Sequence, residues 1–237
     1  QQVDAIRREI MESIGEQDAQ YIYKIRNFVR YSEIASRGML MFGGWIPPVW
    51  LFGTGLLGLS KIVENMELGH NVMHGQFDWL NDPSLNGANY DWDTISTGDD
   101  WKHTHNYIHH TYTNIVGKDH DVGYGLLRVS EAQKWEPRFL LNIPLAIQLM
   151  VFFEWYVGLQ NLHLEDALIY KTRTWKQVWE DSAKFRQKAT RQVAKDYVFF
   201  PVIAGPNALP VLTGNAVANV IRNLWSSAVI FNGHFTE

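Results

Sequence analysis

Trp101-Lys-His-Thr-His-Asn-Tyr-Ile-His-His110, taken together with Gly69-His-Asn-Val-Met-His-Gly75, decides how this chain reads. Six of the nine histidines fall in these two clusters, about thirty residues apart. If both are helical, His70 and His74 share one face, as do His105 and His109, because residues four apart are neighbours on a helix surface. His110 is then turned by roughly 100° from His109. Adjacent imidazoles facing different ways can serve two neighbouring ions, so the pattern predicts a polynuclear metal site. Neutral imidazole suits zinc, copper, iron and nickel alike, and the spacing does not choose among them. A zinc-protease reading is weak, since Asn71 stands where the H-E-x-x-H pattern requires Glu.

Composition narrows the classes. The 237 residues suffice for one domain. Aromatics make up 14%, ten of them Trp, a residue favoured at membrane interfaces. Mean hydropathy is −0.21, so a large water-facing portion accompanies any spans. A net charge of −4 argues against a nucleic-acid binder. With no cysteine, disulfides, thiolate ligands and cysteine-held iron–sulfur clusters are excluded. Gln1 to Asp18 is charged and unlike a secretory signal.

The segments Glu67–Gln76 and His105–Asn114 resemble the first two histidine boxes of the integral-membrane fatty acid desaturases, in particular bacterial acyl-CoA and acyl-lipid desaturases. The resemblance runs from about Tyr31 to the last residue. It maps box one onto His70 and His74, box two onto His105, His109 and His110, and a further metal histidine onto His234. It implies two iron ions, reduction of O2 with two external electrons, and a cis double bond in a long-chain acyl-CoA or acyl lipid. Electrons would come from a separate ferredoxin-, rubredoxin- or flavoprotein-type donor. The third box of the family, HxxHH, has no counterpart, since only Phe235, Thr236 and Glu237 follow His234. The 237 residues are therefore expected to be inactive alone, and the native protein to continue into that box. The rivals are a membrane hydroxylase or alkane monooxygenase, which shares such boxes, and a non-catalytic protein with an incomplete metal site.

Along the chain, residues 1–30 read as charged cytosolic or interfacial helices, with Asp18 capping the second, and 31–237 as the membrane domain. Pro47-Pro48 divides the first apolar region into arms at Tyr31–Ile46 and Val49–Leu68. The competing reading is one kinked, buried helix of a soluble protein. Gly75 to Glu136 is polar and turn-rich and holds box two. Asp91, Asp93, Asp99, Asp100, Asp119 and Asp121 lie within it, none with an individual role. His103, His120 and His163 are read as supporting or surface residues. Phe139–Leu162 is expected to be a partly immersed interfacial helix, because eight basic residues in Lys171–Lys195 favour the cytoplasmic side, where the boxes also lie. A second hairpin is placed at Tyr197–Leu212 and Ala216–Phe231, with Arg222 and Asn223 facing protein or snorkelling. The fold expected is all-α: two transmembrane hairpins under a cytosolic helical cap, in the bacterial inner membrane.

Overall fold

In the computed structural model, residues 2–168 and 171–234 are described, without the side chains of Glu165 and His234. Every regular element among them is helical, as the hydrophobic patterning predicts. Helix α1 spans Gln2–Ser13, and α2 runs unbroken from Glu16 to Gly43. The break falls at Gly15, whose N–H donates to Asp18 at 2.9 Å. That contact satisfies one of the donors a helix start leaves open. The outgoing arm placed at 31–46 is thus the second half of a longer helix.

Helix α3, Pro47–Ile62, starts on its proline pair, which suits a first turn because the N–H groups there have no partner to lose. It continues through a π-helical segment, Val63–Gly69, into the turn His70–Met73. The α2–α3 pair is antiparallel: Ser60 Oγ donates to the Val29 carbonyl at 2.9 Å, and Gly53 lies against Met39.

Further on come α4 at Gly98–Trp101, α5 at Asn142–Val151, α6 at Phe153–Gln160, α7 at Trp175–Asp181, α8 at Ala183–Ala194 and α9 at Ala208–His234. Helix α8 runs on through a π-turn, Lys195–Phe199, and Phe200–Ile203. The chain reverses at Gly205–Asn207. This corrects the placement of the second reversal. Thr213-Gly214-Asn215 lies inside α9, where a Cβ on Gly214 would come within 2.9 Å of both Leu40 methyl carbons. The glycine marks a close helix–helix approach, which sequence spacing does not distinguish from a turn.

The two reversals meet at one end. Trp45 Nε1 donates to the Pro206 carbonyl and Trp50 Nε1 to the Pro210 carbonyl, both at 3.0 Å. Between them, Leu40, Leu57, Val211 and Ala218 form a buried core shared by α2, α3 and α9. No single helix among the described residues is both long and apolar enough to cross a membrane. Helix α3 counts sixteen residues, and α9 carries Asn215, Asn219, Arg222 and Asn223. The segment expected to be one interfacial helix is two pieces: Pro137–Val151 and Phe153–Gln160 meet at 96°.

Polar residues inside the bundle are paired to each other. Asp196, fully buried, takes Arg37 at 3.1 Å and Lys61 at 3.0 Å, and Lys61 also reaches Asp93 at 3.0 Å. Arg222 donates to the Asp93 carbonyl at 3.1 Å and pairs with Glu154 at 2.6 Å, so it faces protein. Two of the eight cations of the basic stretch are used the same way: Lys188 binds Asp91 at 2.5 Å and Lys195 binds Asp93. The network pins the loop carrying Asp91 and Asp93 beneath the histidine clusters.

Candidate metal centre

Both histidine clusters sit on distorted helix. His70 and His74 follow the π-segment Val63–Gly69, and His105 and His109 lie within a second one, Lys102–His109. Wider π-turns are rare and often occur at functional sites, and here one leads into the first cluster and one carries His105 and His109 of the second. Contact between Met73, Trp92 and Trp101 clamps one segment against the other. Asn106 Nδ2 also donates to the Met73 carbonyl at 2.9 Å.

Five imidazoles converge as a result. Ring centroids are separated by 4.7 Å for His70–His74, 5.1 Å for His70–His105, 5.1 Å for His105–His109, 5.0 Å for His74–His110 and 4.9 Å for His105–His110. Trp101 stacks on His105 at 4.3 Å. His109 and His110 are inclined by 75°, so the adjacent pair does face two ways. His103 leaves the cluster and stacks on Tyr107, while His120 and His163 pair with each other at 4.8 Å. His234 ends α9, and its side chain lies outside the described residues.

The electrostatics suit a cation. Burial, then the neighbouring His70 and His109, pushes His105 down to about 2. Burial and His110 lower His74. Both rings are therefore neutral donors, the form that ligates metals. One donor atom each from His70, His74 and His105, and again from His105, His109 and Asp121, lie within 4.8 Å of one another. Two metal–nitrogen bonds of about 2.1 Å span slightly less, so small adjustments would close either set on an ion.

Two aspartates brace the second cluster. His109 Nδ1 lies 2.8 Å from Asp119 Oδ2 and 3.4 Å from Asp121 Oδ2. The hydrogen bond to Asp119 raises His109 against the opposing effect of burial. Burial opposes ionisation of Asp119, but hydrogen bonds from His109, Asn114 and Asp121 hold it below the usual carboxylate range. Of six loop aspartates, sequence could not single out these two. The only signal was Asp119-His-Asp121 following box two.

Beside the histidines opens a cleft of roughly 800 Å³, counting its mouth. Trp92, Trp101, Val157 and Ile230 give it apolar walls, with Glu154 and Arg222 at its lining.

Five clustered imidazoles beside an apolar cleft in an all-helical chain define the class, a helical protein with a candidate metal centre. The family model described as fatty acid desaturase matches residues 44–237, and the chain belongs to that family. It is 46% identical over 241 residues to the NADPH-dependent stearoyl-CoA 9-desaturase of Mycobacterium tuberculosis, covering all of this chain and 56% of that protein. It is 32% identical over 124 residues to the sn-1 linoleoyl-lipid 6-desaturase of Synechocystis, covering 50% of this chain and 34% of that one. The Arthrospira platensis protein of the same description is 23% identical over 232 residues, covering 95% and 62% respectively. The chain thus spans a little over half the length of the mycobacterial relative. No solved structure matches significantly.

Proposed function

We propose that His70, His74, His105, His109 and His110, joined by His234, hold two iron ions, and that the protein introduces a cis double bond into a long-chain acyl-CoA or acyl lipid. The observation that carries this reading is the convergence of five imidazoles, two of which, His70 and His105, line an apolar cleft. Iron bound there would supply the oxidising power needed to break an unactivated C–H bond, which side chains lack. The balance is one saturated CH2–CH2 unit, one O2, two electrons and two protons, giving one alkene and two waters.

The chain's residues supply placement. Asp119 fixes the orientation of His109 through Nδ1, leaving Nε2 for the ion. Trp101 packs against His105 and restrains its ring. Trp92, Val157 and Ile230 present an apolar wall to a saturated chain and keep water from it. The two electrons would come from a ferredoxin-, rubredoxin- or flavoprotein-type donor. The acyl-CoA and acyl-lipid substrates in the relatives' names support the substrate class. Exposed Phe42, Trp45 and Val202 at the two reversals support a membrane location, and the basic Lys171–Lys195 stretch supports the cytoplasmic side for the histidines.

The test is the full-length protein with iron, O2 and a reduced donor, its acyl products analysed by mass spectrometry. A cis alkene is expected. An alcohol would reassign the protein to the hydroxylases, and neither product with no bound iron would make it a non-catalytic relative.

A further inference from the structure

Gly123-Tyr124-Gly125 is a run of three residues in left-handed backbone, at φ of 75°, 54° and 69°. Glycine adopts such angles freely, whereas Tyr124 carries a Cβ that crowds its own carbonyl there. A bulky residue with φ above zero needs compensation from its surroundings. Here the compensation is aromatic. The Tyr124 ring meets Phe153 edge-on at 5.5 Å and Phe231 at 5.8 Å. Phe153 opens α6 at the 96° bend, and Phe231 lies on the last turns of α9. One ring therefore holds a loop, a bend and a helix end together.

That ring also lines the cleft, along with His70 and His105. Asp121, three residues earlier, reaches toward His109 and accepts from Gln160 at 2.8 Å, which anchors the turn to the centre. Burial, then Asp121 and Asp119, keeps the phenol neutral well above its ordinary range.

Building on the acyl-desaturase reading, we infer that Tyr124 is a specificity-determining wedge: its ring, fixed by the left-handed turn, limits how far a saturated hydrocarbon chain extends past the histidine cluster. Such a chain offers no directional bonds, so length is discriminated by the shape of the wall. Each methylene gained or lost in apolar surroundings corresponds to roughly fourfold in affinity.

The experiment measures binding of palmitoyl-, stearoyl- and arachidoyl-CoA to the full-length protein, by competition against a brominated stearoyl-CoA that quenches Trp92 and Trp101 in the cleft. Tyr124→Asn removes the ring with a residue that tolerates left-handed backbone, and Tyr124→Gly serves if that variant does not fold. Either should shift the arachidoyl-to-stearoyl affinity ratio toward the longer chain by about fourfold or more. Iron content should be unchanged, and Tyr124→Phe should keep the parent ratio. An unchanged ratio in both the Asn and Gly variants overturns the wedge, as does a Phe variant that shifts it equally. Parent protein that forms alkene while the variants keep its ratio sinks the wedge alone. Parent protein that forms no alkene sinks the desaturase reading, and parent that binds none of the chains sinks both.

Discussion

His109 Nδ1 lies 2.8 Å from Asp119 Oδ2, and the same carboxylate oxygen accepts the Asn114 N–H at 2.9 Å. The second histidine cluster is thereby locked to the loop that follows it. Asp119→Asn keeps the shape but weakens the acceptor. It should lower iron affinity by about 10- to 100-fold, the usual effect of losing a carboxylate behind a ligating imidazole. Iron titration of the folded protein is the check, and unchanged affinity would remove Asp119 from the centre.

Single alanine replacements of His70, His74, His105, His109 and His110 should each reduce bound iron and abolish turnover with the fold retained. His103→Ala and His120→Ala should be much milder, because those rings contact Tyr107 and His163 instead of the cluster. Metal analysis beside circular dichroism separates the two outcomes. Full iron loading without His109 would refute the ligand set.

Asp196 is fully buried between Arg37 and Lys61. Asp196→Ala leaves two buried cations without their shared partner. Breaking one side of a buried pair costs about 3–5 kcal/mol, so thermal unfolding should move down sharply. A melting temperature equal to the parent's would show that water or lipid headgroups reach this network.

Gly214 and Leu40 set the distance between α9 and α2. Gly214→Val should destabilise by about 1–3 kcal/mol through overpacking. Adding Leu40→Ala should recover part of the loss, giving a favourable coupling in a double-mutant cycle. Strict additivity would mean that the helices separate freely at this point.

A cysteine-free chain permits single-cysteine topology mapping. Lys184→Cys, at an exposed position in α8, should label only from the cytoplasmic face, and Trp45→Cys at the helix reversal only from the other. Labelling of Lys184→Cys from outside would mean that the bent pair Pro137–Gln160 crosses the membrane.

The sequence by itself determined the all-helical class, the family and the grouping of five histidines. Helical spacing is local, and the two clusters have no long apolar segment between them. The capping contact of Asp18 was also legible, because it follows from one residue's chemistry, whereas Arg222 could face protein or snorkel until Glu154 and the Asp93 carbonyl were placed beside it. Only the tertiary structure decided where the second reversal falls. A glycine that lets two helices approach and a glycine that turns the chain look alike until Leu40 is placed against it. Only the tertiary structure picked Asp119 and Asp121 from six loop aspartates and sent Asp91 and Asp93 to Lys188 and Lys61. It also brought Tyr124 to the cleft, since its partners Phe153 and Phe231 lie far along the chain. Spacing fixes which side chains share a face, but pairing between distant segments is set by packing, which no local pattern encodes.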